Sequence, residues 1–389
     1  MRTITSSDEL AALCQRLGQG PYITIDTEFM RETTFWPRLC LVQMAGPDEA
    51  AIVDPLAEGI SLEPLADLLA DETTLKVFHA ARQDIEIFYH MNGRVPGPVF
   101  DTQIAAMVCG FGESVGYETL VRKLVKEQVD KSSRFTDWSR RPLSNKQLNY
   151  ALADVTHLRV IYEKLARRLD RSERTHWLQE EMDVLTAPET YAVHPENAWR
   201  RIKTRSRNRR MLAVLTTVAA WREREAQRRD VPRNRVLRDE ALLEISAEPP
   251  SSVEKLSHVR GLSRGFAEGR HGRDLLAAVE AGLNLPKKDW PEARADEPLP
   301  PGLGPLVELL KVLLKMKCET HNVAQKLICN VADLERIAAD DDAPVQALHG
   351  WRREIFGEDA IALKHGRIAL AANGKAVKLV RLSEREMAD

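Results

Sequence analysis

The sequence predicts an α/β domain followed by two small helical domains, and three observations support this prediction. Short β-branched or apolar runs bounded by Gly, Pro and Asp cluster within the first hundred residues, as strands do. Strand signals stop after about residue 190, and helical spacing of apolar residues takes over. The chain has 389 residues, too many for one core at roughly 100–200 residues per domain. We therefore expect several separate cores.

The first domain, residues 1–190, begins with strands and ends with helices. Leu62, Leu65 and Leu69 indicate a helix before the last of four strand runs, and Ile85 and Phe88 indicate another after it. From residue 100 onward the apolar spacing is helical throughout. This order favours a mixed sheet flanked by helices. The four strand runs are PYITIDTEF at 21–29, RLCLVQMAG at 38–46, AAIVDP at 50–55 and LKVFHA at 75–80.

Two helical units follow this domain. The first spans residues 200–285 and opens with a basic lead-in, RRIKTRSRNRR, at 200–210. Residues 286–302 predict a linker, because prolines block regular structure while the charges keep the segment solvated. The second unit spans residues 303–382 and begins with a helix; its end, at 362–382, is compatible with β structure or a variable tail.

Composition excludes several classes of protein. Apolar residues make up 43% and charged residues 29%, which is typical of a globular chain rather than a disordered one. No run approaches the roughly 18 apolar residues of a membrane span, and the N-terminus lacks a signal-peptide pattern. Five scattered cysteines without a CxxC pair favour neither a disulfide framework nor a zinc site.

The net charge of −2 taken alone argues against a nucleic-acid partner, but it hides an asymmetry. Residues 1–190 carry 21 Lys and Arg against 29 Asp and Glu, whereas residues 191–389 carry 35 against 29. An acidic half joined to a basic half indicates that one half performs chemistry and the other binds the substrate.

Two acidic residues stand side by side in the strand ITIDTEF. Period-two geometry places Asp26 and Glu28 on one face, with Ile25 and Thr27 on the other. Like charges at the end of an apolar strand repel each other and lose solvation, so a cation is expected between them. The alternative is that both carboxylates simply end the strand in solvent or cap a helix.

Two later elements carry the same chemistry. Asp84 follows the strand LKVFHA near a helix start, and Tyr150 lies four residues before Asp154, so the phenol and the carboxylate share a helix face. Taken singly, Asp84 is equally suited to a first helical turn and Tyr150 to core packing. The order of the motifs along the chain favours function over these alternatives.

That order resembles the DEDD superfamily of 3′→5′ exonucleases in its tyrosine-bearing form, and within it the ribonuclease D family. The segments WPRLCLVQ at 36–43 and VFDTQIAA at 99–106, which contains Asp101, resemble flanking segments of the family. The sister form carries a histidine five residues before its last Asp, where this chain has Asn149. The matching residues are Asp26, Glu28, Asp84, Tyr150 and Asp154.

The resemblance implies a ribonuclease H-like catalytic domain with two divalent cations, Mg²⁺ or Mn²⁺. Such cations prefer oxygen ligands, and a pair of them suits hydrolysis of a phosphodiester. Asp26 would bridge both ions, and Tyr150 would orient the attacking water. The implied reaction removes nucleoside 5′-monophosphates from RNA with a free 3′ end, with transfer-RNA precursors as the substrate class. The implied metal ligands are Asp26, Glu28, Asp84 and Asp154.

The basic half carries a second resemblance. VPRNRVLRDEAL at 231–242 and RGL at 260–262 resemble the HRDC module, which implies a helical domain that binds nucleic acid or packs on the catalytic domain. By analogy with the family, residues 303–382 form a second, divergent HRDC-like domain. The basic run is expected to contact phosphates, a hinge or a solvated face being the alternative. Its charged members are Arg200, Arg201, Lys203, Arg205, Arg207, Arg209 and Arg210.

We therefore predict a cytoplasmic, monomeric exoribonuclease that needs neither a membrane nor a nucleotide cofactor, since the chain has no GxxxxGK[ST] pattern. One alternative is a DNA exonuclease on the same fold, because the acidic residues do not distinguish ribose from deoxyribose. The other is an RNA-binding protein that has lost catalysis.

Overall fold

The computed structural model describes residues 3–292 and 300–382. The predicted linker at 286–302 therefore falls partly outside the described residues, which end at 292 and resume at 300. Its first part contains a short 3₁₀ turn, Lys287–Asp289.

A mixed sheet forms the centre of the first domain, as predicted. β2–β3 and β3–β4 pair antiparallel, and the other neighbours pair parallel, in the order β1-β4-β3-β2-β5-β6. The four predicted strands are present; the sequence analysis missed β1 and β6, which are too short to show a period. The strands are β1 (Thr3–Ile4), β2 (Tyr22–Met30), β3 (Arg38–Ala45), β4 (Ala50–Val53), β5 (Leu75–Phe78) and β6 (Val99–Asp101).

Helices cover this sheet and place its acidic residues. The longest helix, α6, packs across β2, β3 and β4 and buries Leu158, Ile161 and Leu165 at helical spacing against them. The helices of this domain are α1 (Ser7–Leu17), α2 (Glu63–Ala70), α3 (Arg82–Asn92), α4 (Thr102–Val108), α5 (Tyr117–Leu120), α6 (Asn145–Arg171) and α7 (Thr175–Thr186).

The middle domain is helical, as predicted, and has a core of its own. Leu215, Leu242 and Leu275 are fully buried in it and join three of its helices, α8, α10 and α13. The domain contains α8 (Arg209–Arg229), α9 (Arg233–Val236), α10 (Asp239–Ala247), α11 (Val253–Ser257), α12 (Arg264–Glu268) and α13 (Arg270–Leu283).

The last domain is helical up to Lys364 and then forms a hairpin. The hairpin occupies the segment for which the sequence was compatible with β structure, and Gly374 supplies the left-handed conformation in its turn. The elements are α14 (Gly304–His321), α15 (Gln325–Ile328), α16 (Val331–Ala339), α17 (Gly350–Arg352), α18 (Glu358–Lys364), β7 (Ile368–Asn373) and β8 (Ala376–Arg381).

The last domain packs on the first, and its apolar core is continuous with that of the first domain. Trp177 on α7 stacks on Trp351 with ring centroids 4.3 Å apart. The buried guanidinium of Arg352 donates to the carboxylates of Glu180 and Glu181. The catalytic domain is therefore contacted by the C-terminal part of the chain as well as by the middle domain.

The two helical domains share a local geometry. In each, a long helix ends at a residue in the left-handed conformation, Asp230 (φ 48°) or Asn322 (φ 50°). A four-residue helix and then a nine-residue helix follow in both domains. We call Asp230 and Asn322 the corner residues. Few residues are identical at matching positions of the two domains, so the shared geometry is visible in the backbone and not in the residue types.

Candidate active site

Three of the predicted acidic residues converge on the face of β2 that α6 covers. Asp26, Glu28 and Asp154 each offer a carboxylate oxygen, and these oxygens all lie within 4.8 Å of one another. The strand period places the first two on one face, and the position of α6 brings the third to them. We call these three residues the acidic cluster.

Helix α6 is fixed to β2 along this contact. Ser144 caps its N-terminus in a capping box, which fixes where the helix begins. Thr24 on β2 donates from Oγ1 to the carbonyl of Val155 at 2.9 Å, and the Tyr117 hydroxyl donates to the carbonyl of Asp154. These bonds fix the position of Asp154 relative to β2.

Asp84 lies beside the acidic cluster but outside its 4.8 Å set. It occupies the first turn of α3 and is buried, and its Oδ1 accepts a 2.5 Å hydrogen bond from the Thr27 hydroxyl. Thr27 lies between Asp26 and Glu28 on β2, so this bond ties Asp84 to the strand that carries two members of the acidic cluster. Burial raises the pKa of Asp84, and the negative charge of Asp26 raises it further by a smaller amount.

Asp101 holds the turn that leads to Asp84. Its two carboxylate oxygens accept from the backbone N–H groups of Ala80 and Ala81 at 3.0 and 2.9 Å, and Oδ1 also caps α4 through Gln103. Ala80 adopts a φ of 60°, a conformation that a non-glycine residue keeps only when its surroundings impose it. Asp101 is therefore a positioning residue for the start of α3.

Burial raises the pKa values of the whole acidic cluster, and the charge of Arg134 offsets this rise only in part. Burial, with the neighbouring carboxylates, raises the pKa of Asp26 well above its usual value and that of Glu28 to about 10. Burial also raises the pKa of Asp154 to about 7, against a lowering by Tyr150 and Arg134. Buried Oδ1 of Asp154 has no hydrogen-bond partner among the described residues. An all-oxygen donor set with an orphaned oxygen fits a hard divalent cation.

Tyr150 lines the same cleft, one helical turn from Asp154. Its ring lies 6.1 Å from that of the buried Trp138, which limits its movement. Burial and the charges of Asp154 and Glu28 raise its pKa, so the phenol keeps its proton at neutral pH. Tyr150 can therefore donate a hydrogen bond but cannot serve as a base there.

The cleft above the acidic cluster has a volume of about 470 Å³. His79, Tyr117, Arg134 and Phe135 also line it, and the sequence analysis did not single them out. The segment that carries Arg134 and Phe135 shows neither a helical nor a strand period, and a lone Arg-Phe pair is too common to mark a site. Their importance becomes visible only when the fold places them beside the carboxylates.

The seven basic residues predicted to bind phosphate are all exposed, and none lines the cleft of the acidic cluster. Buried Ile202 anchors the run. Arg201 lines a second cleft, of about 340 Å³, together with Arg31, Arg82 and Arg233 from the catalytic and middle domains. The run comprises Arg200 and Arg201 at the end of a 3₁₀ helix, Lys203, Arg205 and Arg207 in irregular structure, and Arg209 and Arg210 at the start of α8.

Comparison with known proteins agrees with this geometry. Residues 1–170 match the family model of a 3′-5′ exonuclease, and residues 211–279 match that of an HRDC domain. Ribonuclease D of Nitrobacter hamburgensis is 54% identical over 382 residues, which cover 98% of this chain and all of the relative. The chain belongs to the ribonuclease D family. Ribonuclease D of Granulibacter bethesdensis is 53% identical over 97% of this chain and 96% of its own length.

Solved structures support the same family. The crystal structure of Escherichia coli RNase D, described as an exoribonuclease involved in structured RNA processing, matches with a TM-score of 0.80 at 33% identity. The match covers 93% of this chain and 98% of the E. coli protein. The catalytic core of RRP6 from Trypanosoma brucei shares the fold over 72% of this chain and 79% of its own, with a TM-score of 0.55 at 21% identity.

These findings confirm the predicted fold class, the first HRDC resemblance and the enzyme class. As a member of the ribonuclease D family, the protein is a 3′→5′ exoribonuclease, and the fold implies the use of divalent metal. These relatives do not favour the two alternatives, a DNA exonuclease and an RNA-binding protein that has lost catalysis. Within the described residues, no helix is both long and apolar enough to cross a bilayer.

Proposed function

We propose that the enzyme trims the 3′ ends of structured RNAs one nucleotide at a time and releases nucleoside 5′-monophosphates. The observation that carries this proposal is the acidic cluster, three carboxylates within 4.8 Å at the base of a cleft wide enough for a terminal nucleotide. Precursors of transfer RNA are the proposed substrate class, in keeping with the structured RNA on which the E. coli relative acts.

Two divalent cations, Mg²⁺ or Mn²⁺, are the proposed cofactors, held by Asp26, Glu28, Asp84 and Asp154. The charge of Asp154 acts on Asp26 and that of Asp26 acts on Asp84, which supports the assignment of these carboxylates to one site that would hold the ions. When bound, the ions supply a water of lowered pKa and stabilise the charge on the leaving oxygen.

The chain's own groups orient the reacting atoms. The protonated Tyr150, which hydrogen-bonds the Asp154 carboxylate, would orient the attacking water, and Thr27 donates to Asp84 and holds it beside the strand. Tyr117 fixes the backbone of Asp154, so its carboxylate needs little reorganisation during the reaction.

The basic run and the cleft beside it are the proposed binding surface for the RNA body. Arg201 and Arg82 have no ion-pair partner among the described residues, whereas Arg31 pairs with Glu86. Unpaired guanidinium groups at a cleft contact phosphates without sequence preference and with a strong dependence on salt. Residues 200–210 therefore hold the folded part of the substrate while its 3′ end enters the acidic cleft.

The remaining assignments are also proposals. Residues 303–382 form a second HRDC-like domain, supported by the corner residue and helix lengths that they share with the middle domain. The enzyme works as a monomer in the cytoplasm. Sedimentation equilibrium tests the oligomeric state, and a dimer at micromolar concentration would contradict it.

The decisive experiment measures hydrolysis of a 5′-labelled RNA with a single-stranded 3′ tail. We expect Mg²⁺- or Mn²⁺-dependent shortening, arrest by a chelator, and loss of activity in Asp26→Asn and Asp154→Asn. Asp48→Asn, in the exposed β3–β4 turn, is the matched control and should retain activity. A matched DNA oligomer tests the sugar preference. Full activity in Asp26→Asn or Asp154→Asn would refute the metal-ligand assignment.

A further inference from the structure

Phe135 is an unusual apolar side chain for a folded protein. It is 91% exposed, whereas the next most exposed large apolar side chain among the described residues, Val184, is 55% exposed. A phenylalanine held almost entirely in water forgoes roughly 2 kcal/mol of burial energy. The exposed ring is free to contact a ligand in the cleft that it lines.

The position of Phe135 indicates what that surface binds. It lines the cleft that contains Asp26, Glu28 and Asp154, so it borders the space in which the terminal nucleotide must lie. An aromatic ring in such a place offers a stacking partner to any of the four bases.

Its neighbour Arg134 adds a positive charge to the same wall. The Arg134 guanidinium lies 5.1 Å from the ring centroid of Phe135. Its charge also acts on the carboxylates, since it lowers the pKa values of Glu28 and Asp154. Because Arg134 lines the same cleft as the acidic cluster, its guanidinium is placed to contact a backbone phosphate of a strand that enters the cleft.

The segment that carries the pair is tied to the catalytic helix. The Thr136 hydroxyl donates to the carbonyl of Ser133 at 2.8 Å, and the side chain of Gln147 donates to Thr136 at 3.1 Å. Gln147 belongs to the capping box of α6, the helix that carries Tyr150. The ring is thus presented from a segment fixed to the site and needs less ordering when a ligand binds.

We propose that Phe135 stacks on the base of the 3′-terminal nucleotide while Arg134 contacts a backbone phosphate of the same strand. The proposal rests on the proposed function, and it assigns Phe135 and Arg134 to substrate positioning. Because stacking uses the π face common to all bases, the contact accepts every 3′-terminal base. It supplies affinity for the nucleotide and leaves the bond-breaking step to the acidic cluster.

The test is a comparison of KM and kcat for Phe135→Ala, Phe135→Leu and Phe135→Trp. Loss of one base stack is expected to raise KM by about 5- to 150-fold in the Ala and Leu variants, with a smaller change in kcat. Phe135→Trp should stay close to wild type, because the larger ring stacks at least as well. Val184→Ala, an exposed apolar side chain remote from the cleft, is the matched control.

A second readout does not depend on turnover. RNA with 2-aminopurine at its 3′ end is titrated into the Asp154→Asn protein in the presence of metal, and stacking on Phe135 is expected to quench the fluorescence. The quench should disappear when the Phe135→Ala substitution is introduced into the Asp154→Asn protein. An RNA with an abasic 3′ end should bind equally well with and without the Phe135 ring.

The outcomes separate the two proposals. Unchanged KM in Phe135→Ala and Phe135→Leu, together with an unchanged quench, overturns the stacking role while wild-type hydrolysis continues. Absence of wild-type hydrolysis overturns the proposed function instead, whatever the fluorescence does. An equal rise in KM for the abasic substrate in Phe135→Ala would also contradict stacking, because no base is present to lose the contact.

Discussion

Replacement of Glu28 by glutamine is expected to stabilise the metal-free enzyme while it abolishes catalysis. Burial and the charges of Asp26, Asp154 and Asp84 raise the pKa of Glu28 to about 10, against an unfolded value near 4.5. The carboxyl group must therefore take up a proton when the chain folds at neutral pH. Glutamine has a similar shape and carries no such requirement.

The size of the effect follows from the two pKa values. Each pH unit above 4.5 adds about 1.4 kcal/mol to the cost of folding with Glu28 protonated, up to its folded pKa. At pH 7 the cost reaches about 3 kcal/mol, and below pH 4.5 it is absent. The advantage of Glu28→Gln should therefore grow as the pH rises, and vanish as it falls toward 4.5.

The assay is urea unfolding in chelator at several pH values for wild type, Glu28→Gln and the exposed control Glu58→Gln. Addition of Mg²⁺ or Mn²⁺ should stabilise the wild type. It should also narrow the difference in free energy of unfolding between the wild type and Glu28→Gln, because the cation takes the place of the proton on Glu28. A Glu28→Gln advantage that stays flat between pH 5 and 8, or a loss of stability at pH 8, would refute the electrostatic reasoning.

Three further variants test the geometry of the site and of the docked domains. Asp101→Ala should lower the free energy of unfolding by about 2–4 kcal/mol and reduce kcat, because the N–H groups of Ala80 and Ala81 lose their acceptor. Urea unfolding measures the first effect and steady-state kinetics the second, and wild-type values for both would contradict the prediction. Gly110→Ala should lower the free energy of unfolding by about 3 kcal/mol or more, because a Cβ at this residue of positive φ would overlap Asn322. Limited proteolysis should release the last domain faster from the variant than from the wild type, and an unchanged rate of release refutes the packing argument. Tyr150→Phe should lower kcat by about 100- to 1000-fold with Mn²⁺ affinity retained in calorimetry, because the site loses one preorganised hydrogen-bond donor; unchanged turnover would remove the phenol from the mechanism.

The sequence revealed those parts of the fold and the site that repeat or follow a fixed spacing. The strand period placed Asp26 and Glu28 on one face, and the helical period placed Tyr150 with Asp154. The structure brings three of the acids together. It also shows that Asp84 accepts a hydrogen bond from Thr27, the residue between Asp26 and Glu28, a relation that spacing along the chain does not contain.

Other features depend on contacts between distant segments and had no local pattern. Arg134 and Phe135 gain their meaning from the cleft that they line. Trp177 packs on Trp351, a residue far away in the sequence. The helical period predicts that one face of a helix is buried, but it does not indicate which segment packs against that face. Corner residues Asp230 and Asn322 differ in type, so the repeat is revealed by their shared backbone conformation and by the matching lengths of the helices that follow.

Both corner residues reach the catalytic domain, which gives that domain two mechanical attachments. Asp230 accepts from the backbone N–H groups of Phe35 and Trp36, each at 3.0 Å, in the loop that continues from β2. The chain next to Asn322 holds the end of α4 through a 3.0 Å hydrogen bond between backbone groups. The loop that follows the strand of Asp26 is therefore tied to the middle domain, and the end of α4 is tied to the last domain, so each helical domain is anchored to a different part of the first.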